Sequence, residues 1–193
     1  MNILMIVCSL VFYMFGAYFI WNWKKSLHDK LSAIVMIVAG TMYMTMGNMI
    51  SNDLGVNLRQ IRYFDWIITV PILMYQMFMF IKEDSNISRY VGSLSCVILM
   101  LIAGWLGESG VWIKEYLGVI GTLFSIYAFV VLADDIKPKD RKFFIAILCM
   151  WLFYPVVYFI PESTYTIIGY CIADLSAKIG SSIYIKLKSK DHA

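Results

Sequence analysis

Five stretches of the chain, 3–23, 31–50, 90–106, 116–133 and 143–160, contain no charged residue and are dominated by apolar side chains. A helix needs about 20 such residues to cross a hydrocarbon layer of ~30 Å, so each reads as a membrane span. Two further runs of the right length, 61–81 and 164–185, carry charge: Arg62 and Asp65 in the first, Asp174 and Lys178 in the second. Counted in, they predict an all-α membrane protein, a seven-transmembrane-helix bundle with an internal pocket. The short connections force neighbouring helices to run antiparallel and leave room for one domain, 1–193.

Composition agrees with the pattern. The chain is 61% hydrophobic and only 15% charged, far more apolar than a soluble domain of its size. The net charge of +3 comes without a basic stretch interleaved with aromatics, which argues against nucleic acid as a partner. Cys8, Cys96, Cys149 and Cys171 all fall in apolar runs, where a thiol behaves as a small hydrophobe, and suggest neither disulfides nor a metal site. The first run has no basic residue before it and reads as a retained helix rather than a signal peptide.

Basic residues predict orientation. With the N-terminus outside, Lys24, Lys25, Lys30, Lys82, Arg89, Lys137, Lys139, Arg141, Lys142, Lys186, Lys188 and Lys190 fall on the cytoplasmic side. Only Arg59, Arg62 and Lys114 then lie outside, as the positive-inside rule requires. Trp21, Trp23, Trp105 and Trp112 fall near the predicted interfaces.

Charges at mid-bilayer cost roughly 2.5–3.5 kcal/mol each on insertion scales, so they turn inward and pair. Asp174 and Lys178 are four apart on one helix and share a face; Asp65 lies about one turn into the third span. One lysine meets two carboxylates. A buried salt bridge that only fixes packing is one reading. The chemical one is a lysine that condenses with an aldehyde and needs a counterion when protonated.

Arg62-Tyr63-Phe64-Asp65-Trp66-Ile67-Ile68-Thr69-Val70-Pro71 and Ala173-Asp174-Leu175-Ser176-Ala177-Lys178-Ile179-Gly180 strongly resemble microbial rhodopsins. Thr41-Met42-Tyr43-Met44-Thr45-Met46 is similar to bacteriorhodopsin; Trp151, Tyr154-Pro155 and Tyr158 follow the family's retinal-pocket pattern. Ala103-Gly104-Trp105-Leu106-Gly107-Glu108 is closer to proteorhodopsins. Six of the seven helices align; the first carries no motif.

The resemblance implies all-trans retinal as a Schiff base on Lys178, with Asp65 and Asp174 as counterions and Arg62 beside them. Arg62, Asp65, Thr69, Leu73 and Gln76 recur at spacings of three and four, a stripe from the outer side towards the cytoplasm that is the expected proton path. Thr69 is expected to hydrogen-bond Asp65. Leu73 occupies a colour-tuning position and implies green absorption, although packing alone also explains it. Trp66, Met100, Gly104, Thr122, Ser125, Trp151, Tyr154 and Tyr158 are implied as the retinal slot, and the Tyr43 and Tyr154 hydroxyls as partners of Asp174. Without the lysine, an aromatic stripe at this spacing is more often ordinary core. Gly118 stands where a bulky residue would close a carotenoid antenna site; close helix packing explains it as well.

The pattern also departs from its relatives. Gln76 replaces the cytoplasmic carboxylate donor of many pumps, and no acid besides Asp65 and Asp174 lies within a predicted span. Reprotonation then comes slowly from water, unless Glu83 or Asp134 reaches inward. The triplet Asp65, Thr69, Gln76 differs from the chloride-pump and sodium-pump patterns; Ala39 stands where proteorhodopsins have histidine. Glu162 and Thr166 only partly match the outer glutamates of bacteriorhodopsin, and Tyr158 replaces a tryptophan of that protein. The reading is a non-enzymatic, light-driven outward proton pump with a slow cycle, in lipid, as a trimer or pentamer. A sensory photoreceptor with a separate transducer is the alternative, or a light-gated channel along the thin polar path of Asn48, Gln76 and Ser181.

Overall fold

The computed structural model describes residues 2–52, 57–81, 87–110, 113–133, 136, 138–161 and 163–190, apart from the side chains of 139, 189 and 190. Trp112, Lys82, Glu83, Asp134, Lys137 and Glu162, invoked above, lie outside them. Among the described residues there is no strand. Six helices are long and apolar enough to span a membrane: α1 (Asn2–Trp21), α2 (Leu27–Ser51), α3 (Leu58–Ile81), α4 (Ile87–Glu108), α5 (Lys114–Ala133) and α6 (Arg141–Tyr158). The seventh run is α7 (Thr164–Asp174), a π turn (Leu175–Gly180) and α8 (Ser181–Lys190), following one another without a break. This is the all-α architecture expected of a seven-transmembrane-helix protein. Ile3, Leu10, Met14, Phe64, Ile67 and Leu123 each leave more than half of their surface exposed, which suits contact with lipid and not with water.

Several helices outrun the uncharged stretches. α2 begins at Leu27 rather than 31, α4 covers Ile87–Glu108 rather than 90–106, and the last run continues past 185 to Lys190. For α2 the reason is capping. Ser26 sits at the N-cap of α2 in extended conformation; its Oγ accepts from the Asp29 amide (3.1 Å) and donates to Asp29 Oδ2 (2.9 Å). That reciprocal pair satisfies the first turn, so the helix starts before hydrophobicity does. Two carboxylates expected outside the spans, Asp29 and Glu108, are buried residues of α2 and α4.

The described residues form two compact units, Met1–Leu73 with Asp174–Ala193, and Met74–Ala173. In the first, α1 and α2 form an antiparallel hairpin closed by turn hydrogen bonds at Asn22 and Trp23. Gly16, Gly40 and Gly47 let the two backbones approach: a Cβ at Gly40 would lie 3.0 Å from the Tyr13 ring, and one at Gly47 3.2 Å from Met5 Cβ. Ser9 donates across the pair to the Gly40 carbonyl at 2.8 Å.

In the second unit, α4 pairs with α5 through Ser93 Oγ to the Ala128 carbonyl (2.8 Å) and through Gly121, whose added Cβ would lie 3.4 Å from the Met100 carbonyl oxygen. Phe129 of α5 packs edge-on against both Phe144 and Trp151 of α6, at 5.6 and 5.4 Å between centroids. Gly169 of α7 lies beneath Val157 of α6.

Candidate functional site

The charges of the third and seventh spans meet within the first unit. α3 turns Arg62, Asp65, Trp66 and Thr69 to one face, at intervals of three, four and seven, and all four are buried. Asp174 ends α7, and Lys178 follows within the π turn; both are fully buried. Lys178 Nζ is ion-paired directly with Asp65 Oδ2 and lies 3.3 Å from Asp174 Oδ1. Arg62 supplies the second positive charge, its Nη1 lying 3.4 Å from Asp174 Oδ2. Two cations and two carboxylates cancel, which is what makes their burial tolerable in a low-dielectric interior.

The two carboxylates have different surroundings. Asp174 takes donors from three sides: Tyr43 Oη at 2.7 Å, Trp66 Nε1 at 3.0 Å and Arg62 Nη1. Arg62 also donates to Tyr43 Oη at 2.9 Å and lies 5.2 Å over its ring, so the three form a closed network. Asp65 is held more lightly. Thr69 Oγ1, which donates to the Asp65 carbonyl at 3.0 Å, lies 3.3 Å from Asp65 Oδ1, and the other carboxylate oxygen faces Lys178.

The donor set suits retinal. A covalently held aldehyde needs a buried amine and, once its nitrogen is protonated, a carboxylate in contact; Lys178 between Asp65 and Asp174 offers both. The sequence assigned Trp66 to the chromophore slot and missed its bond to Asp174. Tryptophan five residues before a span-internal proline carries no mark of that role; only the approach of α3 to the seventh run reveals it.

The other proposed site residues divide between the units. Leu73 is buried on α3 in the first, in line with Thr69. Gln76, Met100, Gly104, Thr122, Ser125, Trp151, Tyr154 and Tyr158 belong to the second. There Gln76, Gly104, Ser125, Trp151 and Tyr158 are buried, while Met100, Thr122 and Tyr154 are half-buried. Thr122 Oγ1 donates to the Gly118 carbonyl at 2.7 Å. Tyr158 lies directly over Gly118, with Phe159 beside it, so a Cβ at 118 would collide with the Tyr158 ring. Its hydroxyl donates to the Lys114 carbonyl at 3.3 Å, and Lys114 pairs with the buried Glu108 at 3.0 Å.

Residues 1–187 match the family described as Bacteriorhodopsin-like protein. The chain belongs to the microbial rhodopsins. They are seven-helix retinal proteins of membranes, and retinal as the chromophore is consistent with this membership. Among its relatives is the green-light absorbing proteorhodopsin of a gamma-proteobacterium, 26% identical over 152 residues, or 72% of this chain and 60% of that protein. The chain therefore spans about three fifths of the length of that relative. Sensory rhodopsin III of Haloarcula marismortui is 26% identical over 167 residues, 77% of this chain and 72% of the relative. Among solved structures, the viral rhodopsin OLPVRII superposes with a TM-score of 0.84 at 22% identity, covering 100% of this chain and 98% of that one. This likeness establishes the seven-helix fold.

Proposed function

We propose that this rhodopsin is a light-driven outward proton pump with a slow cycle, carrying all-trans retinal on Lys178. The observation that carries the reading is the contact of the Lys178 amine with the Asp65 carboxylate, beside a second carboxylate already saturated with donors. When bound, retinal supplies the absorption of visible light and a change of shape that re-aims the nitrogen of Lys178.

The chain's own residues supply the rest. Asp65 receives the proton, because its oxygen toward Lys178 is not shared with Tyr43, Trp66 or Arg62. Asp174 stays ionised under its three donors and keeps the region neutral as Asp65 changes charge. Thr69 orients Asp65, and Trp66 and Leu73 line the same buried face of α3. Leu73 implies absorption in the green, in keeping with the name of the proteorhodopsin relative. The distribution of basic residues supports an external N-terminus and a cytoplasmic C-terminus. A carotenoid beside Gly118 would require the Tyr158 ring to move.

A sensor is the second reading, favoured by the sensory rhodopsin among the relatives; it would act through a separate transducer. Cells expressing the chain, given all-trans retinal and illuminated in unbuffered medium, separate these. A pump acidifies the medium and an uncoupler abolishes the signal; a sensor gives no such signal, and a channel gives a current that reverses with voltage. Lys178→Ala should abolish visible absorption altogether, and retained colour in that variant would refute the assignment.

A further inference from the structure

A further buried ion pair lies in the first unit, apart from the Lys178 site. Lys186 of α8 donates to Asp29 Oδ1 of α2 at 2.6 Å, with both side chains nine-tenths or so buried. The groups facing it are the Tyr18 and Phe19 rings of α1, 4.6 and 5.3 Å from Lys186 Nζ, and Ser26 and His28 at the start of α2. His28 is already tied to the same helix. Its Nε2 lies 2.9 Å from the Ser182 carbonyl, which can only accept, so that nitrogen carries the proton; the Ser32 hydroxyl lies 3.3 Å away.

Lys178, Ser182 and Lys186 follow one another at every fourth residue and are all buried. Eight residues at 1.5 Å of rise put the ion pair about 12 Å along the helix from the Lys178 backbone, opposite in direction from Asp174. Between them stand the Ser181 and Ser182 hydroxyls, buried and without a protein partner among the described residues. Buried hydroxyls of this kind take water. Exchangeable protons thus stand at Ser181 and Ser182, on the stretch of helix between Lys178 and Lys186.

We propose that Asp29 and Lys186 form the proton-uptake relay of this rhodopsin, with the Ser182 hydroxyl as its step toward Lys178 and His28 holding the Ser182 backbone in place. It rests on the proposed function and fills the role left open by Gln76. After the Lys178 nitrogen has given its proton to Asp65, one proton leaves the Lys186–Asp29 pair by way of water at the buried Ser182 hydroxyl. It restores Lys178, and one proton from water at the α1–α2 connection restores the pair; no electron is transferred. The alternative is a staple between α2 and α8 with no part in proton transfer.

The full chain reconstituted with all-trans retinal in lipid decides between them. Flash spectroscopy of Asp29→Asn and Ser182→Ala should show dark absorption unchanged and recovery slowed, on the order of tenfold to a hundredfold for Asp29→Asn. Azide, a diffusible weak acid, should restore that rate, which it would not do for a lost staple. Light-minus-dark infrared spectra should contain a carboxyl band that shifts with labelled aspartate and vanishes in Asp29→Asn. Recovery at the wild-type rate in coloured Asp29→Asn, or slowing that azide leaves untouched, would overturn the relay alone. If Asp29→Asn does not take up retinal, Ser182→Ala decides by the same two criteria. A wild-type chain that stays colourless overturns the proposed function and the relay with it.

Discussion

At the scale of single residues, the proposed chemistry turns on the asymmetry between Asp65 and Asp174. Both are buried carboxylates beside one amine, yet three donors occupy Asp174 while Asp65 has Thr69 and the amine. Asp65→Asn removes one negative charge from a region that is otherwise neutral and deletes the acceptor. The light-induced pH change should fall to background and the visible band should move to the red, because the positive charge at Lys178 loses its nearest counter-charge. Absorption spectra and pH recordings on the same membranes check both; an undiminished pH signal would remove Asp65 from the mechanism. The sequence exposed Asp65, Asp174 and Lys178 because a charge in an apolar span is costly and therefore conspicuous. It could not expose the indole of Trp66 as a donor to Asp174, since tryptophan is unremarkable in such a span.

At the scale of helices, small residues decide how closely neighbours approach. Gly169 has its Cα under Val157, and a Cβ there would lie 2.9 Å from Val157 Cγ2, closer than carbon atoms tolerate. Valine is branched at Cβ and has little freedom to turn away. Gly169→Ala should therefore destabilise the protein by about 1–3 kcal/mol, visible as a lower denaturation midpoint in detergent; an unchanged midpoint would show that α6 and α7 yield easily. Helix existence was legible from hydrophobic runs, whereas helix starts were not. Hydropathy ends at the first charge, but Ser26 caps α2 ahead of Asp29, and burial of Asp29 depends on a lysine 157 positions away in the chain.

At the scale of the whole molecule, a chromophore held covalently on Lys178, as proposed, would couple colour to stability. A ligand that binds only the folded state stabilises it by mass action, and a linked one does so for as long as the bond lasts. Hydroxylamine with light should bleach the reconstituted protein and lower its thermal midpoint by several degrees. Re-addition of all-trans retinal should recover both; bleaching without loss of thermal stability would mean that the chromophore contributes little to the packing.

The sequence by itself determined the solvent, the helices and the charged residues on which the chemistry turns. Each of these follows from local physics: spans must be apolar for their full length, and a charge within one must have a reason to be there. Tertiary structure decided the partnerships. Which carboxylate receives which donors, and that Asp29 meets Lys186, depend on side chains brought together from distant positions. Hydrogen bonds act only over about 3 Å, so such pairings have no periodicity to betray them before the chain folds.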